Sequence, residues 1–271
     1  MLDKNDRLVL FGYGIFETLK VNGLHIEVPR LHYRRMSKGA EQLGIPMPSY
    51  EVWREALEQN VQREASAARR EGTAFALRVT LSGGAGQGVP PQWLYHSRPI
   101  PYTEKDYQEG IPIAILSCPR NEYSPLVQIK STNTMENILA KQEAEEKGAR
   151  EGLWLNTKGY LVEGTLSNLF FVRNGILYTP SLPCGCLPGT RRQIVLECAQ
   201  KLGIPWVEGE FSLAFLEDAE EVFLTNALMG ILPVSRVDGR RIEVADAAER
   251  SLRLRINEFY HNYITSCAGS Q

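Results

Sequence analysis

Apolar and polar positions form distinct blocks along the first half of the chain, and the spacing within each block predicts an element. Short runs that are continuously or alternately apolar are typical of strands, whereas apolar residues three and four positions apart are typical of helices. A polar stretch bracketed by Pro119 and Pro125 then interrupts the pattern and predicts a domain boundary. The predicted strands lie at 14–21, 74–81 and 111–117, and the predicted helices at 30–43 and 50–69.

The second half of the chain has a different order of elements. An apolar run at 125–130 is strand-like, and the polar residues after it carry the signature of a helix start. Strands and helices do not alternate regularly, which favours two α+β domains, at 1–118 and 125–271, joined by a linker at 119–124. The other predicted elements are three strands between 152 and 178 separated by turns at 157–159 and 174–175, a helix at 190–202, a strand at 221–225 and a helix at 245–263.

Composition excludes several classes of partner. The chain has 271 residues, of which 43% are hydrophobic, enough for one large core or two modest ones. With 30 basic and 32 acidic residues the formal net charge is -2, so nothing electrostatic favours a nucleic-acid or membrane partner. No apolar run has the length of a membrane span, and the first residues lack a signal-peptide core. We therefore expect a cytoplasmic protein.

Two motifs suggest sites that their surroundings do not support. Cys184 and Cys186 are separated by one residue and have no nearby histidine or second cysteine pair, so we expect no metal site and reduced thiols. A glycine-rich run at 82–88 follows a predicted strand, but Val89-Pro90-Pro91 comes next, where a dinucleotide site needs a helix. A flexible lid and a plain surface hairpin both remain open for this run.

Lys130 occupies a position that suits an amine nucleophile. It closes the apolar run at 125–130 and directly precedes the helix start predicted at 131–137. Apolar neighbours and the positive end of a helix both disfavour an ammonium ion, so the position predicts a lysine with a lowered pKa. Such a lysine can form a Schiff base, although the position alone would also suit a surface lysine at a strand end.

Polar residues interrupt the apolar strands that follow. Glu163 and Asn168 lie within otherwise apolar sequence, where a carboxylate needs a partner, although Glu163 alone could also face outward from a strand. From Asp6 to about Asn257 the chain resembles the fold-type IV pyridoxal-phosphate enzymes, also called class IV aminotransferases. The most specific motifs are Lys130 with Asn133, the run Glu163-Gly164-Thr165-Leu166-Ser167-Asn168, and the helix-opening Gly189-Thr190-Arg191-Arg192.

The resemblance implies an α+β fold of two domains, like that of D-amino-acid aminotransferase, with the active site between them. It also implies a homodimer and a small-molecule amino substrate. Pyridoxal 5'-phosphate requires an amine, an acid beside its ring nitrogen and a cationic, amide-rich phosphate site. By resemblance, Lys130 is the amine and Glu163 the acid. The other implied cofactor contacts are Arg35, which follows His32 on the helix predicted at 30–43, and Ser167, Asn168, Gly189, Thr190, Thr225 and Asn226.

Within the family, the residues at 225–234 are similar to those of the 4-amino-4-deoxychorismate lyases. Met135 and Phe16 stand where the branched-chain and the D-amino-acid aminotransferases, respectively, have a tyrosine, whereas 140–144 resembles the D-amino-acid enzymes. The resemblance therefore implies a lyase that converts 4-amino-4-deoxychorismate to 4-aminobenzoate and pyruvate, in folate precursor synthesis. The alternatives are a class IV aminotransferase acting on D-amino or related amino acids and a non-catalytic cofactor-binding homologue.

A substrate with two carboxylates requires a site that is cationic and partly apolar. Arg78 and Arg191 could supply the charge, but a strand-edge arginine and a helix-surface arginine are the alternatives; Phe16 and Met229 would supply apolar contacts. The family motif at 12–18 comes almost at the start of this sequence, so we expect the usual first strand to be missing. That would leave a sheet edge for a dimer partner or another segment to cover.

Overall fold

The computed structural model describes residues 2–67, 74–85, 89–244 and 251–268 of the chain. They form two compact units. Unit 1 contains Met1–Pro101, Ile129–Thr134 and the chain end from Cys267, and unit 2 contains Tyr102–Gln128 and Met135–Ser266. The units divide the chain differently from the predicted domains, because the strand at Ile111–Ile115 pairs within unit 2 and the segment Ile129–Thr134 bonds to a strand of unit 1.

Unit 1 is a four-stranded antiparallel sheet with two long helices on one face. The sheet order is β2-β1-β3-β4, and alternate residues of its two central strands, such as Leu19 and Leu77, enter a core that also contains Trp53 and Leu57. The sequence pattern predicted both central strands and both long helices. The elements of unit 1 are α1 (Arg7–Phe11), β1 (Gly14–Asn22), β2 (His25–Ile26), α2 (Pro29–Gln42), α3 (Tyr50–Ala67), β3 (Ala74–Ser82) and β4 (Trp93–Pro99).

Unit 2 is built on a mixed, curled sheet. Its elements are α4 (Glu104–Glu109), β5 (Ile111–Ile115), α5 (Met135–Glu146), β6 (Glu151–Leu155), β7 (Leu161–Gly164), β8 (Asn168–Arg173), β9 (Ile176–Pro180), a 3-10 turn (Leu182–Cys184), α6 (Thr190–Lys201), β10 (Trp206–Gly209), α7 (Leu213–Glu217), β11 (Glu221–Asn226), β12 (Gly230–Val237), β13 (Arg240–Arg241) and α8 (Leu252–Ala268). The order is β10-β9-β8-β11-β12-β5-β6-β7, with β13 beside β12. β5 is parallel to β6 and β12, and β10 to β9.

Aromatic packing stabilises one end of the sheet of unit 2. The Phe171 ring stacks on Tyr178 with centroids 5.5 Å apart and meets Phe211 edge-on at 5.4 Å. These side chains belong to a core that runs along β8 and β11. A packed sheet of this kind holds the ends of its strands rigidly, and the candidate site residues of unit 2 lie at those ends.

Two predictions about the start of the second half were wrong. The run at 125–130 forms turns rather than a strand; the Ser124 amide donates to the Asn121 carbonyl oxygen (3.1 Å), and the Val127 amide to the Ser124 carbonyl oxygen (3.3 Å). The helix expected at 131–137 begins at Met135, because Thr132 and Asn133 direct their side chains to the Gly12 carbonyl oxygen.

The predicted meander is also more broken than expected. Its three strands are four, since residues 165–167 form a turn between β7 and β8. Residues 86–88 of the glycine-rich run and 245–250 of the last predicted helix lie outside the described residues. None of the helices in the described part of the chain combines the length and apolar character that a bilayer crossing needs.

Candidate active site

Lys130 lies in unit 1, in the segment Ile129–Thr134, which runs antiparallel beside the start of β1. The Phe16 amide donates to the Lys130 carbonyl oxygen (2.9 Å), and the Thr132 amide donates to the Gly14 carbonyl oxygen (2.9 Å). The sheet therefore fixes the Lys130 backbone, four residues before the helix that was expected to follow it directly.

The Lys130 side chain lies over an aromatic ring. Its Nζ is 4.7 Å from the centroid of Phe16, and Arg78 Cζ is 3.5 Å from the same centroid. Phe16 is 8% exposed, so this contact is largely withdrawn from water. Three residues predicted from sequence, Lys130 for the cofactor and Phe16 and Arg78 for the substrate, are thus brought together within unit 1.

Arg35 is oriented by a buried carboxylate. Its Nε donates to Glu17 Oε1 (2.7 Å) and its Nη2 to Oε2 (2.6 Å), while His32 Nδ1 lies 2.6 Å from Oε2. His32 and Arg35 are three residues apart and so share a face of α2, whereas Arg34 is exposed. Burial alone would raise the pKa of Glu17, but the charges and hydrogen bonds of Arg35 and His32 lower it to about 2.

Glu163 is buried at the end of β7 in unit 2. Its Oε2 accepts hydrogen bonds from the Leu187 amide (3.1 Å) and from Asn168 Nδ2 (3.3 Å). The two predicted cofactor residues Glu163 and Asn168 are therefore in direct contact. A buried carboxylate held by donors keeps its charge and its direction, which a partner for a protonated ring nitrogen requires.

A second buried carboxylate, which the sequence reading missed, fixes the turn between these two residues. Glu151 Oε1 accepts from the Thr165 amide (3.0 Å) and also from the Thr165 hydroxyl, and Oε2 accepts from the Leu166 amide (3.3 Å) and Ser167 Oγ (3.1 Å). A side chain at Gly164 would overlap Ser167 Oγ, which accounts for the glycine. The predicted contact Ser167 thus helps to hold the turn.

The predicted phosphate contacts also converge. Asn168 pairs with Thr225 across β8 and β11, and an added Cβ at Gly189 would overlap Asn168 Oδ1. Gly189 caps α6, whose first amides, beginning at Thr190, have no acceptor within the helix. Thr225 Oγ1 is buried without a hydrogen-bond partner among the described residues. These features fit a phosphate group, which accepts hydrogen bonds from amides and a hydroxyl.

The turn after β11 is organised by Asn226. Its Oδ1 accepts from the Leu228 amide (2.9 Å) and the Met229 amide (2.8 Å), and its Nδ2 donates to the Leu166 carbonyl oxygen (3.1 Å). Arg191 is 1% exposed and donates to the Ala227 carbonyl oxygen (3.3 Å), so the helix-surface alternative for this arginine is wrong.

Met229 lies among core residues. It is 3% exposed and packs with Leu232 and Leu224 in the core of unit 2. This position favours a packing role over the substrate contact that the sequence suggested. Its carbonyl oxygen accepts from the Tyr107 hydroxyl (2.9 Å), which anchors the turn to α4.

Residues 14–237 match the family described as amino-transferase class IV. The match covers most of the chain, which therefore belongs to that family and is a pyridoxal-phosphate-dependent enzyme. The buried Glu163, the start of α6 and the buried Thr225 hydroxyl fit that cofactor. The predicted family, α+β fold class and cofactor are thus confirmed.

Relatives of the chain carry the names of two activities. It is 27% identical over 283 residues to a D-alanine aminotransferase of Listeria monocytogenes, with 99% of this chain and 92% of the relative covered. It is 29% identical over 242 residues to an aminodeoxychorismate lyase of Vibrio harveyi, with 86% of each covered. A Legionella pneumophila crystal structure provisionally named 4-amino-4-deoxychorismate lyase is 30% identical, with a TM-score of 0.85 and coverage of 97% and 95%.

The Glu17 network should make stability depend on pH in the acid range. Because the pKa of Glu17 is lowered from 4.5 to about 2, its ionised form stabilises the fold above pH 4.5, and this contribution is lost as the pH falls toward about 2. The difference in free energy of unfolding between wild type and Glu17→Gln should therefore shrink below pH 4.5 in urea titrations. The exposed Glu41→Gln is the control, and a pH-independent difference for Glu17→Gln would contradict the assignment.

Glu151→Gln should loosen the turn at 165–167. The glutamine amide would present donors to the Leu166 amide and Ser167, so we expect a loss of about 1–3 kcal/mol in the free energy of unfolding and weaker cofactor binding. Urea unfolding of the apoenzyme and titration with pyridoxal phosphate would measure both. Glu146→Gln, at an exposed position on α5, is the matched control. Unchanged values for Glu151→Gln would show that the carboxylate is dispensable.

Proposed function

We propose that this enzyme is a lyase that converts 4-amino-4-deoxychorismate to 4-aminobenzoate and pyruvate. The observation that carries the proposal is the turn after β11. Its conformation depends on Asn226, whose side chain accepts two amides of the turn, and the run at 225–234 resembles that of the lyases. The names of the Vibrio and Legionella relatives support the same reaction.

Lys130 and Glu163 have the central roles in this proposal. Lys130 holds the cofactor covalently, and Glu163, fixed by Leu187 and Asn168, keeps a proton on the cofactor's ring nitrogen. Bound pyridoxal phosphate supplies a ring that accepts the electron pair released at the substrate's amine-bearing carbon. The start of α6 and the Thr225 hydroxyl bind its phosphate, as does Arg35.

Lys130 also moves the proton. The substrate's amine displaces the Lys130 amine from the cofactor, and the released amine takes the proton from the amine-bearing carbon. Loss of that proton allows the pyruvate group to leave, and the ring that remains becomes aromatic. Phe16, against which Lys130 packs, is an apolar surface beside the reacting carbon and helps to exclude water.

A transaminase acting on D-amino acids is the second candidate. The Listeria relative's name favours it, and the same lysine, glutamate and phosphate site would serve. The two reactions differ in where the proton goes, because a transaminase returns it to the cofactor rather than expelling a leaving group. They also differ in requirement, since only the transaminase needs a 2-oxo acid.

The enzyme acts as a cytoplasmic homodimer in this proposal. Helix α5 presents an apolar face to solvent, with Met135 67%, Ile138 49% and Leu139 58% exposed, and a second copy of the chain would cover it. These residues are three and four positions apart and form one stripe. A monomeric mass in light scattering would contradict the dimer.

Lys130 should be the only lysine that carries the cofactor. Borohydride reduction of the holoenzyme followed by peptide mapping should label Lys130, and Lys130→Ala should lose the label because no other amine replaces it. Lys158→Ala, which changes an exposed lysine, is the control and should keep both label and activity. A label on a different lysine would disprove the assignment.

The lyase reaction should proceed without an amino acceptor. Purified enzyme with 4-amino-4-deoxychorismate alone should release pyruvate and 4-aminobenzoate in equal amounts, and Glu163→Gln should slow both roughly 100-fold, because an ionic contact to the ring nitrogen is lost. Product analysis by chromatography measures this. Efficient transamination of D-alanine with no pyruvate released from aminodeoxychorismate would favour the second candidate.

A further inference from the structure

The sheet of unit 1 has a cationic strip on the face opposite its core. Arg78 on β3 pairs with His96 on β4, and Ala76 pairs with Arg98. Residues of one strand alternate between faces, and Leu77 and Val79 enter the core, so Arg78, His96 and Arg98 lie together on the other face. We name these three residues the cationic strip. His96 and Arg98 have no role in the site described above.

Nothing in the described part of the chain neutralises the cationic strip. No carboxylate among the described residues lies within 4.0 Å of a charged nitrogen of these three side chains. The nearby acids have other partners: Glu17 lies on the opposite face with Arg35, and Glu27 pairs with Lys20 at 3.7 Å. The strip therefore keeps its charge available for an anion.

The arrangement is unfavourable without an anion. Burial lowers the pKa of Arg78, and the positive charge of Arg98 lowers it further. Arg78 is stacked on the Phe16 ring at 3.5 Å, so it cannot swing freely into water. A carboxylate beside Arg78 and Arg98 would convert this repulsion into two charge-assisted hydrogen bonds.

The strip also begins next to the lysine that holds the cofactor. Lys130 Nζ and Arg78 Cζ lie 4.7 and 3.5 Å from the same Phe16 centroid. From Arg78 the strip continues onto β4, the edge strand of the sheet, where His96 and Arg98 are exposed. A substrate whose amine reacts near Lys130 could thus extend an anionic group along it.

We propose that the cationic strip binds the second carboxylate of a dicarboxylate amino substrate, with Arg98 and His96 extending the contact made by Arg78. The proposal rests on the proposed function and adds a substrate class to it: amines that carry one carboxylate beyond the group recognised near the reacting carbon. The planar guanidinium groups suit a carboxylate, and His96 adds a donor from the neighbouring strand position.

Binding to the holoenzyme tests the strip independently of turnover. Glutarate, with two carboxylates, and butyrate, with one, are titrated by calorimetry. Wild type should bind glutarate more tightly than butyrate, and Arg98→Gln should reduce that preference about tenfold or more, as the loss of a charge-assisted hydrogen bond implies. Arg98→Lys should retain part of the preference. Arg63→Gln, which removes an exposed arginine from α3, is the control of equal charge.

Kinetics with 4-amino-4-deoxychorismate provide the second arm. Arg98→Gln and His96→Gln should each raise KM with little change in kcat, because the lost contact is made equally in the bound substrate and the transition state. An unchanged glutarate preference in Arg98→Gln, or a wild type that does not prefer glutarate, overturns the strip even if pyruvate is released. A preference that depends on Arg98 without pyruvate release upholds the strip and refutes the lyase reaction.

Discussion

A carboxylate that is removed from water must be hydrogen-bonded on its oxygens, and the described part of this enzyme is organised by that requirement. Each of its key buried glutamates holds a segment distant in sequence. Glu17 fixes an arginine of α2, Glu151 fixes the turn after β7, and Glu163 receives the amide that precedes α6. Glu221 accepts the Leu252 amide (2.8 Å) and so anchors the start of α8. The candidate site is therefore set by the fold before a ligand arrives.

Regular elements with strong periodicity could be predicted from the sequence. β1, β3 and α6 match their predicted bounds to within about two residues, because their side-chain alternation is set by burial on one face. The run at 125–130 was read as a strand since it is apolar, but apolarity does not specify a backbone partner, and its amides bond within turns instead. The position of the α5 start depended on side chains that bond to Gly12, more than a hundred residues earlier, which local patterns cannot contain.

The candidate site shows the same division. Lys130, Glu163 and Asn168 could be named because they interrupt apolar sequence or match family motifs. Glu151 could not, because a glutamate after a charged stretch has the local pattern of a solvent-exposed residue, and only the folded turn reveals its bonds. Arg191 illustrates the converse. Its neighbours suggested a surface position, yet the first turn of α6 is buried on the side that faces the turn after β11.

The placement of the cationic strip on β4 separates two properties of the enzyme. The core of unit 1 is formed by the opposite face of the sheet, and β4 lies at its edge, so exposed residues such as His96 and Arg98 contribute little to folding. Lys130 and the residues that hold its segment lie elsewhere and are constrained by backbone pairing. Substitutions on β4 can thus alter the charge presented to a ligand at small cost in stability. This one strand offers a route by which related chains could diverge in substrate while keeping the same chemistry.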